Sequence, residues 1–235
     1  MAKANEGKEL TISIDGAEYE RIPLKTHVVM PDDELLDIVR RYAADTVEDG
    51  DVLFITEKIV AITQGRSYPL DEIHPRGLAK LLSKYVTKTS YGIGLGIPET
   101  MEMALRECGT PRIVFAAGVA AVTKLFGRKG DFYRIAGSRA RGIDGPTDGT
   151  IPPYDDRVVL VPLDPDRVAR EVQADLGRPV TVMIADINDF GGNILGSNSD
   201  KAHERLVARI LGDNPLGQGT QSTPMGVIRK VSGKA

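Results

Sequence analysis

Glycine and proline punctuate this chain so often, 25 and 14 of them in 235 residues, that it cannot be built from a few long helices. Short elements joined by many turns are expected, and an all-helical bundle is excluded. LTISI and the segment up to Leu24 alternate as a strand pair turning at Asp15-Gly16. A helix opens after Pro31-Asp32, with Leu35, Ile38, Val39 and Tyr42 on one face, and VLFI after Glu48-Asp49-Gly50-Asp51 reads as a buried strand. Further helices are expected from Pro75 to Val86 and from Pro98 to Cys108. Strands are expected over residues 112–122 (RIVFAAGVAAV) and 131–137 (DFYRIAG), then a loop from Ser138 to Asp156. RVVLVPL, a helix from Pro165 to Leu176 and PVTVMIADI read as a strand-helix-strand unit whose last strand ends on Asp186. A helix from Lys201 to Leu211 and a strand from Met225 to Ile228 follow. The fold class is therefore α+β, mixed sheet with flanking short helices. The length fits one large domain or two small intertwined lobes.

A net charge of −3 supplies no general attraction to nucleic acid or an anionic membrane, so neither is an expected partner. Cys108 is the single cysteine, which rules out an intramolecular disulfide and a cysteine-rich zinc site. Its place at the end of the apolar helical pattern Met101, Ala104, Leu105 favours packing over nucleophilic chemistry. MAKANEGKEL lacks the apolar core of a signal peptide, and no run of about 18 apolar residues occurs. A soluble, cytoplasmic protein is expected.

Three segments carry hard oxygen donors suited to magnesium or manganese: Gly142-Ile143-Asp144-Gly145, Ala185-Asp186-Ile187-Asn188-Asp189 and Leu216-Gly217-Gln218-Gly219. Each is expected in a loop after an apolar strand. Lys58, beyond VLFI, and Arg66, after Gln64-Gly65, are cations suited to phosphate. Turn formation by Asp and Asn, and plain surface roles for the two cations, account for the same residues equally simply. No P-loop is present, and Gly92-Ile93-Gly94-Leu95-Gly96 lacks the dinucleotide spacing. His27, His74 and His203 are scattered, so serine, cysteine and zinc hydrolases are not supported; His27, just before a helix, is either a site residue or a local cap.

From Leu24 to Arg229 the ordered segments resemble the coenzyme F-420 gamma-glutamyl ligases. They comprise Glu48-Asp49-Gly50-Asp51-Val52-Leu53, Glu57-Lys58-Ile59-Val60 running to Gln64-Gly65-Arg66, Gly142-Ile143-Asp144, Val161-Pro162-Leu163-Asp164-Pro165-Asp166, Ala185-Asp186 and Leu216-Gly217-Gln218. The resemblance implies an intertwined α+β homodimer. It also implies use of GTP, a divalent metal and a monovalent cation such as potassium to join glutamate, through its amine, to a carboxylate of a small-molecule precursor. By matching motif it assigns Asp144, Asp186 and Gln218 to metal, Lys58, Arg66 and Gln218 to nucleotide, and Lys58 and Asp186 to catalysis. Asp144 and Asp186, 42 positions apart, are then expected to converge. Residues 1–20 form an N-terminal extension and 21–235 the ligase-like domain.

The chain also departs from that family. Where serine-lysine precedes alanine-glutamate-glycine-arginine, it has Ala61-Ile62-Thr63-Gln64-Gly65-Arg66, so a lysine is absent and an acid has become an amide. Asp186-Ile187-Asn188-Asp189-Phe190 and Asp144-Gly145-Pro146-Thr147 keep the aspartates but not their neighbours. A non-catalytic nucleotide- or metabolite-binding protein on the same scaffold is the alternative, and an interaction module using Ile113 to Val122 as an interface is a third reading.

Overall fold

Asp15 and Gly16, both at positive φ (53° and 79°), form the tight turn between β1 (Thr11–Ile14) and β2 (Ala17–Leu24), as two-residue hairpins require. The computed structural model describes residues 3–86, 93–128, 130–147, 150–188, 191–217 and 221–231. Gly92, Asp189, Phe190, Gln218 and Gly219, named above, lie outside these. α1 (Leu35–Tyr42) carries Asp37 in its first turn and Arg40 and Arg41 in its last, matching the helix dipole, and buries Ile38 and Val39. β3 (Val52–Thr56) passes directly into α2 (Glu57–Thr63), which buries Ile59, Val60, Ala61 and Ile62. Lys58 thus sits on the first turn of a helix that follows the strand without a loop.

The next elements are β4 (Ser67–Pro69), α3 (Gly77–Leu82), α4 (Pro98–Cys108), α5 (Thr110–Leu125), α6 (Asp131–Ala136), α7 (Ser138–Arg141) and β5 (Arg157–Val159). Two expected strands are helices here. Residues 112–122 belong to α5, where Pro111 in the first turn suits a helix start. Residues 131–136 form α6, opened by Gly130 and closed by Gly137, both at positive φ. Their valines and phenylalanines favour strands locally, but burial of Ile113 and Ala116, three apart, on the α4 and α6 core decides for helix.

α8 (Pro165–Leu176), β6 (Thr181–Asn188), β7 (Gly191–Ser197), α9 (Lys201–Ile210) and β8 (Met225–Lys230) complete the chain. The expected strand-helix-strand unit does not form within one sheet, because only Arg157–Val159 of RVVLVPL is strand and it pairs with β4. The mixed α+β class read from the sequence is observed. No helix among the described residues is long and apolar enough to cross a membrane.

Two compact units divide the chain: Met1–Gly65 with Pro162–Ala235, and Arg66–Val161. The first is built on a sheet of order β1-β2-β8-β3-β6-β7, in which β3 and β6 are parallel and every other neighbouring pair is antiparallel. On one face Val52, Phe54, Met183 and Ile228 pack with Val207 and Ile210 of α9. The alternate residues Leu53, Ile55, Val182 and Ile184 point to the other face, where α2 and α8 cover the strands. Gly226 lets β8 lie in the middle of the sheet: a Cβ there would meet the Phe54 ring at 2.6 Å and the Ile22 carbonyl at 2.7 Å.

In the second unit, α3 to α7 and β5 enclose a core of Met101, Leu105, Ile113, Ile143 and Val158. Glu102, only 2% exposed, accepts from Arg76 Nε at 3.0 Å and Arg106 Nε at 2.9 Å. Burial raises its pKa, but the hydrogen bonds from the two arginines outweigh it and leave the carboxyl below its ordinary value.

Candidate functional site

β3 and β6 run side by side in the same direction, with Thr56 opposite Ala185, so both deliver their carboxyl ends to one edge of the sheet. In sheets of parallel strands this is the edge where ligands are bound. Lys58 follows Thr56 by two positions, and Asp186 follows Ala185 by one. Ile187 packs with the α9 core, so Asp186 points to the opposite face, the one that α2 covers. Both side chains are half-buried. Other segments reach the same edge: Leu24 pairs with Met225, Met225 with Ile55, and the Thr56 amide donates to the Pro224 carbonyl at 2.9 Å. Pro224, just before β8, therefore lies at this edge.

The other sequence candidates have different surroundings. Asp186 lies within β6 rather than in a loop, while the Asp144 and Gln218 segments follow helices, α7 and α9, instead of strands. Asp144, exposed, belongs to the second unit, where its amide and carbonyl form a two-way bridge to Val159, each bond 2.9 Å. Arg66 is in the same unit and 11% exposed; its Nε donates to the Val161 carbonyl at 2.7 Å and its Nη2 to Glu107 at 2.8 Å. Lys58 and Asp186 are thus brought to one edge of one sheet, whereas Asp144 and Arg66 flank β5 of the other unit.

The departures from the family pattern have local explanations. Ile62 is 1% exposed, so that position contributes apolar packing and no cation. The Gln64 amide donates to the Leu163 carbonyl at 2.9 Å and accepts from the Leu163 amide at 2.7 Å, a pairing that a glutamate could only half make. Glu48-Asp49-Gly50-Asp51 lies at the opposite end of β3, where buried Asp51 accepts from Arg229 at 2.6 and 3.0 Å; its role is structural.

His27 acts locally: one ring nitrogen lies 2.9 Å from Asp33 and the other 2.9 Å from the Tyr42 hydroxyl. His27 and Asp33 line a cleft of about 200 Å³ with Asp32, Asp37 and Arg41. The Met30 amide, and less strongly His27, hold the Asp33 carboxyl below its ordinary pKa. Burial, with Glu107 adding to it, pushes the Cys108 thiol up, as suits a packing residue and not a nucleophile.

No group of three or more His, Cys, Asp or Glu side chains among the described residues is arranged as a metal cage. Magnesium does not need one: it commonly takes one or two carboxylates and fills its other positions with water and phosphate oxygens. Asp186, a hard oxygen donor beside a helix bearing Lys58, fits that kind of site.

The profile of the family described as F420-0:gamma-glutamyl ligase matches residues 23–194. The chain belongs to this family. Coenzyme F420:L-glutamate ligase of Methanopyrus kandleri (strain AV19) is 30% identical over 203 residues, which cover 84% of this chain and 71% of that one. The protein is thus an enzyme of an amide-bond-forming glutamate ligase family, and Lys58, Arg66, Asp144 and Asp186 all fall within the matched stretch. Gln218 falls beyond it. Asn5 precedes it, and its hydrogen-bond partners Pro215 and Leu216 are some 210 positions away, which no sequence signal reveals.

Proposed function

We propose that this ligase uses GTP and a divalent metal, magnesium or manganese, to join the amine of L-glutamate to a carboxylate of the coenzyme F420 precursor or of a small molecule built like it. Membership of the family supports the reaction class, and the shared edge of β3 and β6 that bears Lys58 and Asp186 is the observation that carries the assignment. In this reading the substrate carboxylate oxygen bonds to the terminal phosphorus of GTP and GDP leaves. The glutamate amine then bonds to the acyl carbon, phosphate departs with the carbon-oxygen electrons, and the amine gives up its proton. Lys58 holds a phosphate oxygen by charge-assisted hydrogen bonds, and Arg66 serves the nucleotide. Asp186, Asp144 and Gln218 are the proposed oxygen ligands of the metal. A divalent ion neutralises triphosphate charge as the phosphoryl group moves; potassium is the proposed monovalent ion.

The test is phosphate release by the purified protein supplied with GTP or ATP, magnesium or manganese, pooled amino acids and the precursor. Release that needs nucleotide, metal, glutamate and acceptor together is expected; no release with any combination overturns the catalytic reading. Stabilisation by nucleotide without release would instead support the non-catalytic binder, which the apolar, buried Ile62 favours.

We also propose that the ligase is a cytoplasmic homodimer, with residues 1–20 an extension to the ligase-like domain. α5 exposes Phe115 (64%), Val122 and Leu125 (85%), with Phe126 just after it, large apolar side chains left in water. A second copy covering this helix would bury them. Light scattering at micromolar concentration is expected to give twice the chain mass, falling to the single mass in Phe115→Glu/Leu125→Glu. A monomeric wild type overturns the assignment.

A further inference from the structure

We infer that Asn5, in the extension that precedes the family-matched region, is a positioning residue for the nucleotide edge of the sheet. The inference rests on the site reading above and adds a residue that the family profile does not reach. The Asn5 side-chain amide donates to the Leu216 carbonyl at 2.8 Å and to the Thr223 hydroxyl at 3.0 Å, with the Pro215 carbonyl farther off at 3.3 Å. Thr223, 9% exposed, passes its own proton to the Leu216 carbonyl at 2.9 Å. A single amide therefore joins the residues on either side of the segment that contains Gln218.

The extension is anchored independently of Asn5. Lys8 Nζ donates to the Asp213 carbonyl at 2.9 Å, and buried Arg21 ties the Glu9 carbonyl (2.8 Å) to the Ile210 carbonyl (3.1 Å) and to the Asp213 carboxylate. Asn5 is thus presented by a fixed strap. Its hold continues to the catalytic edge through the backbone: Thr223 precedes Pro224, whose carbonyl receives the amide of Thr56, the residue that opens α2 two positions before Lys58. Ser222 is fixed in turn by the Thr26 amide at 2.9 Å. A small displacement of Thr223 would move the start of the helix that bears Lys58, and groups that must be held to fractions of an ångström lose affinity when their support loosens.

The variants Asn5→Ala and Asn5→Asp test this in the full chain. The aspartate keeps the shape but has no N–H, and it faces the Leu216 carbonyl with negative charge. Thermal stability is measured against GTP concentration in the presence of manganese, and amide hydrogen exchange is followed over residues 213–217 and 221–226. Both variants are expected to need roughly tenfold more GTP for half-maximal stabilisation. Exchange should quicken in those two stretches and stay unchanged in β6 and α8. A residue with only a structural role would lower the ligand-free melting temperature without moving the half-saturation point. If wild type responds to GTP and both variants reach half-saturation at the wild-type concentration, the positioning role is overturned and the site reading stands. If wild type itself gains no stability from GTP with manganese, the site reading falls and the positioning role falls with it.

Discussion

Asp186→Asn is expected to stay folded while losing its response to nucleotide and metal. The substitution keeps size and most hydrogen-bonding capacity but deletes one negative charge at the carboxyl end of β6, where Thr56 of the parallel β3 lies opposite Ala185. Ile184 and Ala185 before it are fully buried, so the strand itself has ample apolar support without the charge. A hard divalent ion discriminates strongly between a carboxylate and an amide oxygen, whereas folding at this half-buried position does not. With ligand at a hundred times its dissociation constant, wild type should gain about 2.7 kcal/mol, a rise in melting temperature of roughly 5–10 °C. The variant should gain close to nothing, and turnover should vanish. Lys58→Ala should weaken nucleotide response more than response to manganese alone, since its proposed partner is phosphate. Equal ligand-induced shifts in wild type and Asp186→Asn would make Asp186 a strand-end residue only.

Gly196→Ala should be the more damaging change to the fold. A Cβ at this position would stand 2.5 Å from the Asp166 amide nitrogen and 2.5 Å from the Pro165 carbonyl carbon, both backbone atoms at the start of α8. Neither can swing aside as a side-chain tip can. An irregularity in the β6–β7 register between Ile184 and Ala185 explains why this glycine faces α8 although Ile194, two positions earlier, packs with the α9 core. The Asp166 carboxylate also accepts the Ser197 amide at 2.9 Å, so the whole junction must shift together. A loss of about 3 kcal/mol is expected, seen as a lower denaturation midpoint with unchanged slope. Gly192→Ala, whose Cβ would be 3.3 Å from the Ala208 carbonyl, should cost distinctly less. The reverse order would mean that the α8 junction yields more readily than its geometry implies.

Where local chemistry and tertiary packing agree, the sequence was readable. The Asp15-Gly16 hairpin, α1 with its charged ends, and α8 between Pro165 and Gly177 appear where turn and helix signals put them. α5 was misread because a continuous apolar run has no period to distinguish helix from strand; its length of 16 residues and Pro111 near its start were the better guides. α2 was missed for a related reason, since Ile59-Val60-Ala61-Ile62 is buried all through and reads as neither face of anything. Lys58 and Asp186 could be picked from short motifs, but their common edge follows from a parallel pairing across more than a hundred residues. Asn5 had no signal at all, for nothing in a polar N-terminal stretch reveals a partner at Leu216.

β4 and β5 hold the two ends of the second unit together, with Ser67 opposite Val159 and the Leu160 amide donating to the Arg66 carbonyl at 3.0 Å. As a polymer problem, this alters the closure that joins β3 to β6. From Thr56 to Thr181 an unstructured chain would have to close a loop of about 125 residues. Once residues 66–161 have formed and their ends are zipped, the flexible part of that loop falls to about 30 residues, and the entropy of closure drops by about 1 kcal/mol. The parallel pair that carries Lys58 and Asp186 is therefore easier to form after the second unit than before it.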